Sequence, residues 1–234
     1  MRTVIFAAVA LAMSGLSRSA QAGPILFTNL PTSGALYNCC QGVAVTGSET
    51  NQGSPGSSAE GFEFTSSATA YLAEIDVALF SVANYDSSLL LTLNADTVLF
   101  GTQDAPGAVL ESWTLSDLPV NGTCCILQTV IPSAPVLLTS GTQYWLVGTP
   151  ISDLTFVGFN RAVIPGDMLR VLNKSNQSFQ FLTESPGAAF EVLGTPEPSS
   201  VALVAVPLAI LVYRRRSWAN ILGLRGKRIL PPSD

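Results

Sequence analysis

Tyr71-Leu72-Ala73-Glu74-Ile75-Asp76-Val77-Ala78-Leu79-Phe80, followed after a polar break by Ser88-Leu89-Leu90-Leu91-Thr92-Leu93-Asn94, is the stretch that decides the fold class. In the first run Leu72, Ile75, Val77 and Leu79 stand among Glu74, Asp76 and Ser81, a partial alternation. In the second, Leu89, Leu91 and Leu93 share one face and Leu90 takes the other. A repeat of two places successive side chains on opposite faces of a strand, whereas a helix would repeat near 3.6. Both runs therefore read as half-buried β-strands.

Working outward, similar short runs follow at 97–101, 109–115, 124–131, 136–138, 143–148, 154–159, 168–172, 179–182 and 189–193. Turn residues punctuate them: Asn84-Tyr85-Asp86, Asn94-Ala95-Asp96, Ala105-Pro106-Gly107, Ser140-Gly141-Thr142, Pro165-Gly166-Asp167 and Ser185-Pro186-Gly187. Gly47 to Ser58, rich in Gly, Ser, Asn and Thr, has little to bury and reads as a long exposed loop. Many short strands without a sustained helical period predict an all-β chain, a single antiparallel β-sandwich of jelly-roll-like form over residues 23–195.

Charge is distributed unevenly along the 234 residues. Between 23 and 195 only Arg161, Arg170 and Lys174 are cationic against fourteen acids, a net of −11. Three cations in such a field cannot line a phosphate backbone, which excludes nucleic acid as a partner. The chain has no histidine. That removes Ser-His-Asp and Cys-His catalysis, histidine-ligated metals and an imidazole pH switch.

The four cysteines form two adjacent pairs, Cys39-Cys40 and Cys124-Cys125. In an oxidising compartment they are disulfide candidates with three possible pairings. A bridge within a pair closes a strained eight-membered ring, whereas bridges between the pairs would close a loop of roughly 85 residues, worth about 4 kcal/mol by chain entropy. A Cys₄ metal site is disfavoured because adjacent residues of an extended chain point to opposite faces. No cofactor is expected. The loop acids Asp86, Asp96, Asp104 and Asp167 offer hard oxygen ligands for calcium, but no EF-hand spacing is present.

Glu74 and Asp76, two residues apart on one strand face, have the composition of a glycosidase pair. A solvent-facing strand edge rich in acids produces the same pattern, so no catalytic residue is assigned. Trp113, Tyr144 and Trp145 are the aromatics able to stack on sugar rings; Tyr144 and Trp145 are neighbours on a strand and must face opposite ways, so at least one belongs in the core.

Both ends read as addresses. Arg2, the apolar run Val4 to Met13 and Ala20-Gln21-Ala22 make residues 1–22 a signal peptide cleaved after Ala22. At the other end Pro196-Glu197-Pro198 precedes Ser199-Ser200, the mostly apolar run Val201 to Tyr213, and Arg214-Arg215-Arg216. The thirteen apolar residues reach only ~20 Å as a helix against a ~30 Å hydrocarbon core. Snorkelling arginines, the serines and local thinning can extend the span, which makes 199–213 a candidate membrane segment with a basic cytoplasmic flank. Residues 217–234 form a basic tail in which Trp218, Ile221, Leu222 and Leu224 lie near one helical face.

The order Pro-Glu-Pro, hydrophobic helix, arginine cluster (196–216) resembles the PEP-CTERM protein-sorting signal of exopolysaccharide-producing Gram-negative bacteria. The resemblance implies export across the inner membrane, anchoring, and processing near the tripeptide by exosortase, a membrane enzyme. The family usually ends just after its basic cluster, whereas eighteen residues follow here. Within the exported part, Pro106-Gly107-Ala108-Val109-Leu110 and Thr142-Gln143-Tyr144-Trp145-Leu146-Val147 resemble the choice-of-anchor R type of domain, an extracellular module fitted with varying anchors. It implies no catalytic residues. The expected protein is thus a non-enzymatic surface or extracellular-matrix component, structural or adhesive, with a lectin-like module for exopolysaccharide as alternative and a secreted hydrolase last.

Overall fold

The computed structural model describes residues 23–50, 56–99, 103–123, 126–164, 168–174, 180–184 and 186–195; the proposed signal peptide and the whole region from Pro196 onward, including the sorting motif, lie outside them. Chain contacts divide the molecule between Pro196 and Glu197, and every described residue belongs to the first unit.

The described elements are all strands: β1 (Ile25–Thr28), β2 (Tyr37–Thr46), β3 (Ser58–Thr65), β4 (Ala70–Val77), β5 (Leu79–Ser81), β6 (Leu89–Leu99), β7 (Gln103–Leu115), β8 (Gln128–Val130), β9 (Leu137–Leu138), β10 (Gln143–Pro150), β11 (Phe156–Ala162), β12 (Met168–Lys174), β13 (Gln180–Glu184) and β14 (Phe190–Gly194). The alternation at 71–80 becomes β4 and β5, and Leu89, Leu91 and Leu93 of β6 are fully buried as their spacing requires. Among the described residues no helix is long and apolar enough to cross a membrane.

Two antiparallel sheets result. One runs β1-β14-β4-β8 with β9 also on β4; the other runs β5-β11-β2-β3-β10-β6-β7, with β12 on β3 and β13 on β12. They share one core. Leu26, Leu72, Ile75, Val77, Val130, Leu138, Phe190 and Val192 come from the smaller sheet; Val43, Val45, Phe62, Phe64, Leu89, Leu91, Leu93, Leu146, Val157 and Phe159 come from the larger. This is the sandwich that the alternation predicts. Phe64 and Phe190 meet edge-on across it, with centroids 5.6 Å apart, a geometry favoured by the ring quadrupoles.

Two expectations need correction. Asn94-Ala95-Asp96 and Ala105-Pro106-Gly107 are not turns. They lie inside the long β6–β7 hairpin, in which Asp96 pairs with Pro106 and two register shifts fall between Leu93 and Asp96. Pro106 is tolerated because β7 is an edge strand with no ladder partner on its far side. Gly107 is required by close approach, since a Cβ there would stand 2.9 Å from Thr97 Cβ and 3.0 Å from the Ala95 carbonyl oxygen. The segment after Gly47 is also less open than its composition suggests. Thr50 is buried, and its hydroxyl donates to the carbonyls of Gly47 (3.0 Å) and Thr155 (2.8 Å). The polar-rich stretches 37–46 and 58–65, which alternation does not mark, are also strands: β11 pairs along the first, and β10 and β12 flank the second.

β2 carries an irregularity with consequences. Gly42 pairs with Asn160 but Asn38 pairs with Arg161, so Cys39-Cys40-Gln41 are extra residues on the β2 side. A bulge of this kind bends the strand and frees its residues from the ladder.

Candidate functional site

Two surfaces collect the chemistry-bearing residues, one on each sheet. On the larger sheet β10 is central, flanked by β3 and β6, and is buried on both faces. Tyr144 points into the shared core, where its hydroxyl accepts the Thr139 N–H at 2.9 Å. Trp145 points the other way and is nonetheless fully buried. Its indole N–H donates to Asp96 Oδ1 at 2.7 Å, and Trp145 stands in register with Glu63 of β3 and Asn94 of β6. Asp96, two residues along β6 from Asn94, thus lies beside Trp145 on the outer face of this sheet. Asn94, itself buried, accepts from the Thr92 hydroxyl (2.7 Å) and donates to the Gly107 carbonyl (3.0 Å), which holds the bend.

The same bend brings Asp96 and Asp104 into the electrostatic field of Glu63. Burial, then Asp104, then Asp96 push the Glu63 carboxyl above the usual glutamate range, while the Gln143 side-chain amide, which donates to Glu63 Oε1, pulls it back. Two of the four acids considered for calcium therefore converge. Asp86 does not join them; it latches the turn after β5, accepting from Ser152 Oγ (2.6 Å) and the Ser88 N–H (3.0 Å). The Ser152 bond, followed by that from Ser88, holds its carboxyl below the ordinary aspartate value. Asp167 lies outside the described residues. Among the described residues no group of three or more acidic or cysteine side chains is arranged to hold a metal ion.

The aromatic candidates resolve differently from one another. Trp145 and Tyr144 are buried and present no ring face for stacking. Trp113 is half-buried against the core, and its indole N–H donates to the Ile131 carbonyl at 2.7 Å. Beside it Glu111 accepts the Ser133 N–H at 2.9 Å, so both side chains tie the 131–133 segment across β7.

The second surface is the outer face of the smaller sheet. Glu74 and Asp76 project there together, as their spacing predicts, and Glu191 of β14 stands directly opposite Asp76. Thr129 of β8 donates to Asp76 Oδ1 at 2.5 Å. Tyr71, not among the aromatics expected to stack, lies on the same face and is 51% exposed. Strict alternation would set it on the buried face with Ile75 and Val77; the register shift between Leu193 and Gly194, opposite Glu74 and Leu72, reverses the phase and leaves it outside.

Cys39 is disulfide-bonded. Cys124 and Cys125 and the Cys40 side chain lie outside the described atoms, as do Pro196, Glu197, Pro198, Arg214, Arg215 and Arg216. No protein-family model matches the chain, and no curated protein matches it.

Proposed function

We propose that this is a non-enzymatic exported protein. In this reading an acidic, jelly-roll-like sandwich is delivered to the cell surface or extracellular matrix through a PEP-CTERM/exosortase route, and acts there as a structural or adhesive component. One observation carries the reading: the folded domain closes where the two address segments begin. β1 pairs with β14, the Gly194 N–H donates to the Pro24 carbonyl at 2.8 Å, and the Thr195 N–H donates to the Tyr71 carbonyl at 2.7 Å. The ladder thus starts within three residues of Ala22 and ends immediately before Pro196. Cleavage at both places would leave every described strand intact.

The cysteines fit export. We assign the partner of Cys39 to the Cys124-Cys125 segment, whose two flanks are pinned beside the β2 bulge. The Gly122 N–H donates to the Cys39 carbonyl at 3.2 Å, and Tyr37 Oη accepts the Ile126 N–H at 2.9 Å. The same hydroxyl reaches the Ile126 carbonyl at 3.1 Å.

Intact-mass spectrometry of membrane, surface and medium fractions from the native host tests the route. A species running from Gly23 to near Pro196, about 4 Da light from two disulfides, is expected. A species ending at Asp234 and confined to membranes would overturn sorting. The alternative, a carbohydrate-binding module, is favoured by exposed Tyr71.

A further inference from the structure

The outer face of the smaller sheet has an unusual combination of features. Its five strands carry Glu74, Asp76 and Glu191 and not one lysine or arginine. Like charges directly opposite in an antiparallel pair are destabilising, yet Glu191 and Asp76 occupy such positions. Next to these acids runs an apolar band: Ile25 (51% exposed) pairs with half-buried Leu193, and Tyr71 (51%) pairs with Leu137 (50%). No described segment covers Tyr71, Ile25 or Leu137. Scattered exposed aliphatics need no explanation, but an aromatic flanked by them beside unpaired-sign carboxylates is a surface with two chemistries in fixed register.

We infer that this face binds an amine-bearing polysaccharide, with Tyr71 as the stacking platform and Glu74, Asp76 and Glu191 as the acceptors of its ammonium and hydroxyl groups. The inference deepens the carbohydrate-binding alternative above, and it does not depend on the sorting route. Three steps lead to it. The excess of carboxylate on the face, within a domain of net charge −11, repels anionic polymers and favours a cationic one. The aromatic supplies a flat apolar plate, which suits the apolar face of a pyranose ring and the aliphatic hydrogens beside an ammonium group. From Tyr71 to Asp76 the strand runs about 17 Å, room for a short run of sugar rings along β4.

A basic peptide fits less well. An extended peptide gains most of its affinity by pairing its backbone with an open sheet edge, and β4 already has β14 on one side and β8 and β9 on the other. A sugar chain has no backbone amide ladder to satisfy. It can lie on the face of an interior strand, donating from hydroxyls and amines to the carboxylates below.

The test is calorimetric titration of the full chain in detergent at pH 6 with three probes: the hexamer of glucosamine, cellohexaose and the hexamer of galacturonic acid. The glucosamine hexamer should bind at least tenfold more tightly than cellohexaose, and the galacturonate hexamer should not bind. Tyr71→Ala should weaken the glucosamine hexamer about tenfold, the loss expected from one stacking contact. The double variant Glu74→Gln/Glu191→Gln should remove the preference over cellohexaose and flatten the salt dependence. Val109→Ser, which alters an exposed apolar residue of the other sheet (58% exposed), should change nothing. Absence of binding by the glucosamine hexamer at millimolar concentration overturns the proposal. So does binding unaltered in Tyr71→Ala. Equal binding of a hexalysine peptide, with the same loss in Tyr71→Ala, would identify a basic peptide as the occupant and likewise overturn it.

Discussion

The outward faces of the two sheets hold the same kinds of residue and treat them in opposite ways. On the larger sheet Trp145, with Glu63 and Asp96 beside it, is 0% exposed; on the smaller sheet Tyr71, on the face that also carries Glu74, Asp76 and Glu191, is 51% exposed. The difference is not in the side chains. Trp145 lies on a central strand between β3 and β6 with Asp96 accepting from its indole N–H, whereas Tyr71 lies at the start of β4 beside the two-residue strand β9. One aromatic–carboxylate cluster has thereby become structure, and the other remains open to partners.

The comparison can be broken most forcefully at Trp145. Trp145→Ala should cost about 3–5 kcal/mol, the range for emptying a large buried site. Urea titration followed by circular dichroism measures it, and a cost below 1 kcal/mol would show that the indole is not sealed. Asp96→Ala, which leaves the indole N–H without its acceptor, should cost about 1–3 kcal/mol and shift tryptophan emission to the red. Unchanged emission would mean that Asp96 does not govern the environment of Trp145.

Glu63→Gln sharpens the electrostatic half of the contrast. Because the folded state raises this carboxyl, the native protein binds the proton more readily than the unfolded chain does. The associated stability is fully present below the ordinary glutamate value and is lost as pH rises through the raised one. At pH 7 the neutral variant should therefore melt about 1–2 °C higher, a small effect because the carboxyl is only half-buried, and the gain should vanish near pH 4. A gain that persisted undiminished at pH 4 would remove titration of Glu63 as the cause. Smallest of all, Tyr71→Ala should change stability by no more than about 0.5 kcal/mol, as expected of an exposed side chain away from the core. A loss above 2 kcal/mol would assign Tyr71 to packing and close the comparison.

Legibility follows range. The strands at 70–81 and 89–94 could be read because their apolar positions repeat locally. Those at 37–46 and 58–65 could not, since Gly42, Gly61 and their polar neighbours form strands only when flanking ladders supply the hydrogen bonds. Asn94-Ala95-Asp96 and Ala105-Pro106-Gly107 carry turn chemistry and yet face each other as paired strand positions. There the residues were right for bending and misleading about where the chain reverses.

What the amino-acid order determined by itself was the class of structure and the sign of its field. Alternating apolar residues can be buried on one side only by pairing sheets face to face, and the fourteen acids against three cations between residues 23 and 195 remain acidic in any fold. It also placed Tyr144 and Trp145 on opposite faces, through the period of a strand. Only the tertiary structure decided that both would be buried and that Tyr71 would not. Exposure of an outward-facing residue depends on which strands flank it and what its side chain meets there, and neither is set by the residue's own neighbours in sequence.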